Sequence, residues 1–129
     1  AAAATAITAR SASPSKAGMD TLNRMIVQLT RDLRFRVETL GVLLTMYERG
    51  TKLHQTIAEE IREQFGDKVF ETVIYKNVRI SESEAKGLPI ILFDRRATGA
   101  INYEALTDEI LTRAGVKLPP STLFAAGGA

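Results

Sequence analysis

Apolar residues along the chain fall into two kinds of pattern, one with helical spacing and one with the continuity of buried strands. Met19, Leu22, Met25, Ile26, Leu29 and Leu33 recur at steps of three and four, which lines one face of a first helix, while Asn23, Arg24, Arg31 and Asp32 fall elsewhere. The run LGVLLTM, Leu40 to Met46, is continuously apolar and too short for a buried helix, so it predicts a strand covered on both faces. Thr51 can then cap a second helix carrying Leu53, Ile57, Ile61 and Phe65, with Gly66 as its stop. Val69 to Ile74, rich in β-branched residues, predicts another strand about one helix later, and hence a βαβ unit with a right-handed crossover. Ser81 and Glu84 have capping-box spacing for a short helical turn ended by Gly87 and Pro89. The apolar run Ile90 to Phe93 leads to a last helix bearing Ala100, Tyr103, Leu106, Ile110 and Leu111 and stopped by Gly115.

The pattern predicts an α/β fold, a mostly parallel sheet with flanking helices. The low-complexity ends, AAAATAITARSASPSKAG and PPSTLFAAGGA, offer few groups for a core. The expected organisation is a weakly ordered segment at 1–18, which could retain a core strand, a single α/β domain at 19–115, and a flexible tail at 116–129. With 129 residues, 45% hydrophobic and 25% charged, the chain has room for one modest core. It starts at alanine, with no methionine before Met19, so a removed start or a piece of a longer reading frame is expected. If an α/β sheet has been cut, the strand at the cut would be TAITA (5–9) or Leu40 to Met46.

Composition narrows the chemistry. There is no cysteine and a single histidine, His54, which excludes disulfides, cysteine-ligated zinc and a histidine metal cluster. No stretch approaches the roughly 20 apolar residues that span a bilayer, so a cytoplasmic protein without a membrane partner is expected. A net charge of +2 says nothing about nucleic acid until the charges are placed.

No segment has the GxxxxGK[ST] spacing of a phosphate-binding loop, the GxSxG of a nucleophile elbow or the GxGxxG of a dinucleotide loop. His54 follows Leu53 and points away from the expected apolar stripe, so it reads as a solvated surface residue. Glu59, Glu60, Arg62 and Glu63 read as the wet face of the second helix, since adjacent helix positions do not share a face. Basic residues follow the strands: Arg49 and Lys52 after the first, Lys76 and Arg79 after the second, with Arg95 and Arg96 in a third loop. Loops that follow parallel strands share the carboxyl edge, where ligands bind. With only Tyr47 and Tyr75 interleaved, such a patch suits phosphate-backbone contact better than base stacking; a plain solvated loop surface is the competing reading.

Three segments, GVLLTMYERGTKL (41–53), FGDKVFETVIYKNVRISESEAKGLPIILFD (65–94) and GAINYEALTDEIL (99–111), resemble in order and spacing the C-terminal half of ParA/Soj partition ATPases. A weaker likeness runs back through AGMDTLNRMIVQL (17–29) to TAITA. The resemblance implies the C-terminal half of a P-loop NTPase, Rossmann-like fold. It implies a parent that dimerises around ATP and Mg2+, binds DNA without sequence preference, associates with the nucleoid and answers to a ParB-like partner. On this chain it implies adenine-side contacts from Thr45, Met46 and Asn77. It also implies DNA contact at Arg79, with Lys76, Lys52 and Arg49 beside it. The family's PRN is YKN here, and Gly50 stands where an arginine is common, flanked by Arg49 and Lys52. Without a phosphate-binding loop, neither catalysis nor tight binding of ATP and Mg2+ is expected of this chain alone. A non-catalytic DNA- or partner-binding module is the alternative, and a MinD-like positioning ATPase ranks last because the C-terminus is not a basic amphipathic helix.

Overall fold

The computed structural model describes residues 3–10, 15–34 and 37–116. Along the chain run β1 (Ala3–Arg10), α1 (Ser15–Leu33), β2 (Val37–Tyr47), α2 (Lys52–Phe65), a 3-10 turn (Gly66–Lys68), β3 (Val69–Tyr75), α3 (Val78–Ala85), α4 (Ile90–Phe93) and α5 (Thr98–Arg113). The strands form one parallel sheet in the order β1-β2-β3. This is the α/β class that the apolar pattern predicts. The tail expected at 116–129 lies, beyond Val116, outside the described residues.

β2 reads as an unbroken apolar run because it is the middle strand and alternate side chains enter different layers. Val42 and Leu44 join Val69, Met19, Ala58 and Ile61, so α1 and α2 cover that face. Leu43 joins Phe70, Ile74 and Leu106, so α5 covers the other. A third cluster, Ile90, Ala97 and Ala100, seats α4 against the start of α5. Phe70, Leu44 and Val42 are fully buried, each stabilising the fold by about 1.5–3 kcal/mol. Of the two strands considered for a cut edge, β1 is the outer one among the described residues and β2 is central.

The ladders are irregular where the layers meet most closely. Between β1 and β2 the partners go from Thr5 and Thr39 to Ala6 and Gly41, so Leu40 is skipped. At Gly41 a Cβ would stand 2.5 Å from the Phe70 ring and 2.8 Å from Arg113 Nη1, which explains glycine in a buried strand. Between β2 and β3 the partners go from Val42 and Val69 to Leu44 and Val73, and then to Tyr47 and Tyr75. β3 thus carries extra residues around Glu71 and Thr72. β2 carries one before Tyr47, where Met46 takes a left-handed φ of 55°.

Side chains from α5 complete the ladder at these places. Glu109 accepts the N–H groups of Glu71 at 2.7 Å and Thr72 at 3.0 Å, and Asn102 Oδ1 accepts that of Tyr75 at 3.2 Å. Arg113 donates to the carbonyls of Leu40, Lys68 and Val69, reaches Glu109 at 3.4 Å and lies 4.2 Å over the Phe70 ring. Burial opposes ionisation of Glu109, but the hydrogen bonds from Thr72 and Glu71 and the Arg113 charge outweigh it and hold its carboxyl below the usual value.

Two local expectations need correction. α3 does not start at the Ser81–Glu84 box: it starts at Val78, because Asn77 Oδ1 accepts the Arg79 N–H at 2.9 Å and caps the helix four residues before Ser81. Ser83 instead bonds the Ile80 carbonyl and is buried. The buried stripe of α2 is also rotated. His54, Ala58 and Ile61 face the core, whereas Leu53 is 58% exposed.

Candidate functional site

The carboxyl ends of β2 and β3 open into a groove of 790 Å³, the place where parallel α/β sheets bind ligands. Tyr47, Glu48 and Arg49 form one wall, continued by Thr51 at the start of α2, and Tyr75 and Lys76 form the other. Val78 of α3 and Thr98 of α5 close it. The walls are tied beyond the sheet ladder, since the Lys76 N–H donates to the Tyr47 carbonyl at 3.0 Å.

His54 is part of this construction, contrary to the surface position expected of it. It is 5% exposed, its Nδ1 accepts the Glu48 N–H at 2.8 Å, and its ring meets Tyr47 at a centroid distance of 5.8 Å. By accepting that bond, the imidazole fixes the turn that carries Glu48 and Arg49. The misplacement came from assuming that Leu53 faces the core. A polar ring that satisfies a backbone N–H took the inward position instead.

Tyr75 meets Tyr47 edge-on at 5.8 Å, and the Arg49 guanidinium lies 4.3 Å over the Tyr75 ring. Lys76 Nζ binds Glu48 Oε1 at 2.5 Å. That hydrogen bond, then the lysine's charge, holds the Glu48 carboxyl below its usual value.

Arg79 was expected in the loop after β3 but sits in the first turn of α3 and is not among the groove-lining residues. Its Nε donates to Asp94 Oδ2 at 2.8 Å, its Nη1 donates to Glu82 Oε2 at 2.6 Å, and the guanidinium lies 4.6 Å from the Phe93 ring centroid. Bonding to Asp94, then to Glu82, strengthens the hold of Arg79 on its proton, and the same contact keeps Asp94 ionised below the ordinary carboxylate range. Arg49 and Lys76 are therefore brought together at the groove, with Lys52 exposed next to Thr51, while Arg79 stands apart with its carboxylates.

Thr45 and Met46 are among the last residues of the β2 strand, and Asn77 follows β3, with Oδ1 used as the α3 cap. None of these three lines the groove. Residues that the sequence reading missed are Glu48, which neutralises Lys76, and the pair Glu82 and Asp94 on Arg79. The Arg79–Glu82 spacing of three was a legible signal on a helix; Asp94, fifteen residues away, was not. No group of three or more metal-ligating side chains occurs among the described residues. No helix among them is long and apolar enough to cross a membrane.

No family model matches the chain. The chromosome partitioning protein ParA of Caulobacter vibrioides is 40% identical over 96 residues, covering 74% of this chain and 36% of that protein. Over the matched residues the chain is a ParA/Soj homologue. The chromosome-partitioning ATPase Soj of Treponema pallidum is 38% identical over 98 residues, 76% of this chain and 39% of its own length. The sporulation initiation inhibitor protein Soj of Bacillus subtilis is 49% identical over 70 residues, 54% of this chain and 28% of its own length. The chain thus spans between 28% and 39% of the length of these ParA/Soj relatives, consistent with their C-terminal portion.

Proposed function

We propose that this chain is the C-terminal portion of a ParA/Soj-type partitioning ATPase and serves chromosome or plasmid segregation. The observation that carries the reading is its identity of 40% with ParA of Caulobacter vibrioides, across 74% of its residues. In the longer parent, ATP with Mg2+ gates dimerisation, a ParB-like partner stimulates hydrolysis, and the dimer binds DNA in the cytoplasm, on the nucleoid. Arg79 contacts the DNA backbone from α3, and Lys76, Lys52 and Arg49 add contacts from the groove edge. Two placements support this role: Arg49 and Lys76 share one groove, and Lys52 is exposed at the start of α2 on the same edge. A guanidinium matches phosphate oxygens with paired N–H donors whatever the base sequence. Thr45, Met46 and Asn77 lie on the adenine side of the composite site.

One feature favours a second reading, a non-catalytic DNA- or partner-binding module: no GxxxxGK[ST] loop occurs in these 129 residues. Without its N–H donors and lysine the triphosphate charge has nothing to meet it, so this chain should bind Mg2+–ATP weakly at best. Micromolar binding by calorimetry would show that the site is more complete than proposed. For the DNA role, duplex binding of the wild type and Arg79→Ala is compared across a salt series. Loss of one phosphate contact lowers the log–log slope by about 0.9. Equal affinity and slope would reduce the patch to a solvated loop surface.

A further inference from the structure

We infer that Glu82 and Asp94 act as a built-in counter-anion for Arg79, holding its guanidinium out of phosphate contact until a dense polyanion competes it away. The inference rests on the DNA-contact reading of Arg79 and adds its regulation. The geometry is specific: the two carboxylates approach from different elements, Glu82 from α3 and Asp94 from the end of α4, and bind different nitrogens at 2.6 and 2.8 Å. Phe93, next to Asp94, lies under the guanidinium and keeps it in that position.

The charges decide what a phosphate meets. One guanidinium between two carboxylates is a cluster of net charge −1, and both carboxylates lie far inside the screening length of about 8–10 Å. An approaching phosphate is repelled by the closed cluster and attracted only once a carboxylate has let go. Letting go is not expensive, because the partners are exposed to solvent (46% for Arg79 and Glu82, 29% for Asp94) and such pairs are worth about 0.2–1 kcal/mol. A single phosphate offers one contact against the two carboxylates that hold the guanidinium, whereas duplex DNA presents many phosphates at once and releases counterions as it binds. Lys76 and Glu48 repeat the device at the groove with one carboxylate. The basic edge is thereby selective for DNA over isolated phosphates.

Glu82→Gln is the clean variant, since Glu82 is exposed and its hydrogen bond in the structure is to Arg79. Duplex DNA binding of the 129-residue chain is measured across a salt series for the wild type, Glu82→Gln, Glu82→Gln/Asp94→Asn, Arg79→Ala, and Arg79→Ala with Glu82→Gln. Thermal melting checks that each variant is folded. Masking predicts that Glu82→Gln binds roughly two- to fivefold more tightly than the wild type. It also predicts a slope steeper by up to about 0.9, with the double variant binding more tightly still, and most of the gain lost when Arg79 is absent. Inorganic phosphate should compete better against Glu82→Gln than against the wild type. If the gain is equally large without Arg79, the carboxylates act only through net charge and masking is wrong. Tighter binding by the wild type than by Glu82→Gln would mean that Glu82 positions Arg79 for DNA, which also overturns masking but keeps the contact. If Arg79→Ala matches the wild type, or neither wild type nor double variant binds at low salt, the underlying DNA reading fails instead.

Discussion

On the β3 flank of the sheet, α5 sends Arg113, Glu109 and Asn102 into the strand backbone; on the β1 flank, α1 buries Met19 and leaves Leu22, Met25, Leu29 and Leu33 exposed. Both helices are amphipathic by sequence. The difference is in what each finds to bond. α5 meets a strand whose register shifts free backbone N–H and carbonyl groups, and it fills them with long polar side chains. α1 packs Met19, with Ile26 half-buried, against residues of β2, β3 and α2, and most of its apolar stripe stays in solvent. Stability should therefore be concentrated in β2, β3 and α5, while the α1 flank presents exposed apolar surface.

Removing Arg113 tests that concentration most severely. Arg113→Ala withdraws donors from the Leu40, Lys68 and Val69 carbonyls, strips the ring stack from Phe70 and leaves Glu109 without its positive neighbour. Loss of a partly buried network of this kind should destabilise the chain by about 3 kcal/mol or more, read as a lower urea midpoint. A loss below about 1 kcal/mol, the range of exposed pairs, would show that the clamp is ornamental and the contrast between flanks false.

Gly41→Ala probes the same flank by steric means. Its Cβ would collide with Phe70 and Arg113, and Phe70 is fully buried with no room to retreat. Overpacking should cost about 1–3 kcal/mol. If Gly41→Ala unfolds at the wild-type urea midpoint, the approach of α5 to β2 is looser than drawn.

Acid sharpens the comparison further. The carboxyl of Glu109 is held below its ordinary value of 4.5, so its stabilising contribution is present in full above that pH and is lost as pH falls through the lower, folded value. Glu109→Gln should therefore be less stable at neutral pH but should lack this part of the acid-induced loss, so that the two stability curves converge below pH 4.5. Curves that stay parallel well below pH 4.5 would mean that Glu109 titrates alike in folded and unfolded chains.

Much of this fold is legible in sequence because its signals are local. The apolar run from Leu40 to Met46, the glycine stops at Gly66 and Gly115 and the β-branched stretch at Val69 to Ile74 each report on nearby backbone, and each falls where the structure has the corresponding element. What escaped depends on partners distant in sequence. Arg113 and Glu109 have an ordinary i,i+4 spacing, and nothing in it announces acceptors 44 to 73 residues away or N–H groups 37 and 38 away. His54 differs in that its partner is only six residues away, but its inward position depends on the Glu48 N–H rather than on helical periodicity. At the candidate site, the positions of Arg49 and Lys76 just after their strands were legible, whereas the place of Arg79 within α3 was not; of the carboxylates beside Lys76 and Arg79, only Glu82, three residues along the helix, left a local signal.

The α1 flank should show the smallest change in stability and yet a clear change in behaviour. Leu22, Met25 and Leu29 are 38%, 55% and 50% exposed, so replacing them with Ser, Gln and Ser removes little buried area. Each change should alter stability by no more than about 0.5 kcal/mol, whereas Met19→Ala in the same helix, at 3% exposure, should cost about 2 kcal/mol or more. Exposed apolar side chains along one helix, next to an outer strand, favour association between copies. The triple variant should therefore remain monomeric in sedimentation at concentrations where the wild type associates, with a thermal transition that no longer depends on concentration. Should the wild type itself be monomeric with a sharp, concentration-independent transition, α1 is not an association surface. Should the triple variant lose as much stability as Met19→Ala, α1 packs as tightly as α5, and the contrast between the two flanks disappears.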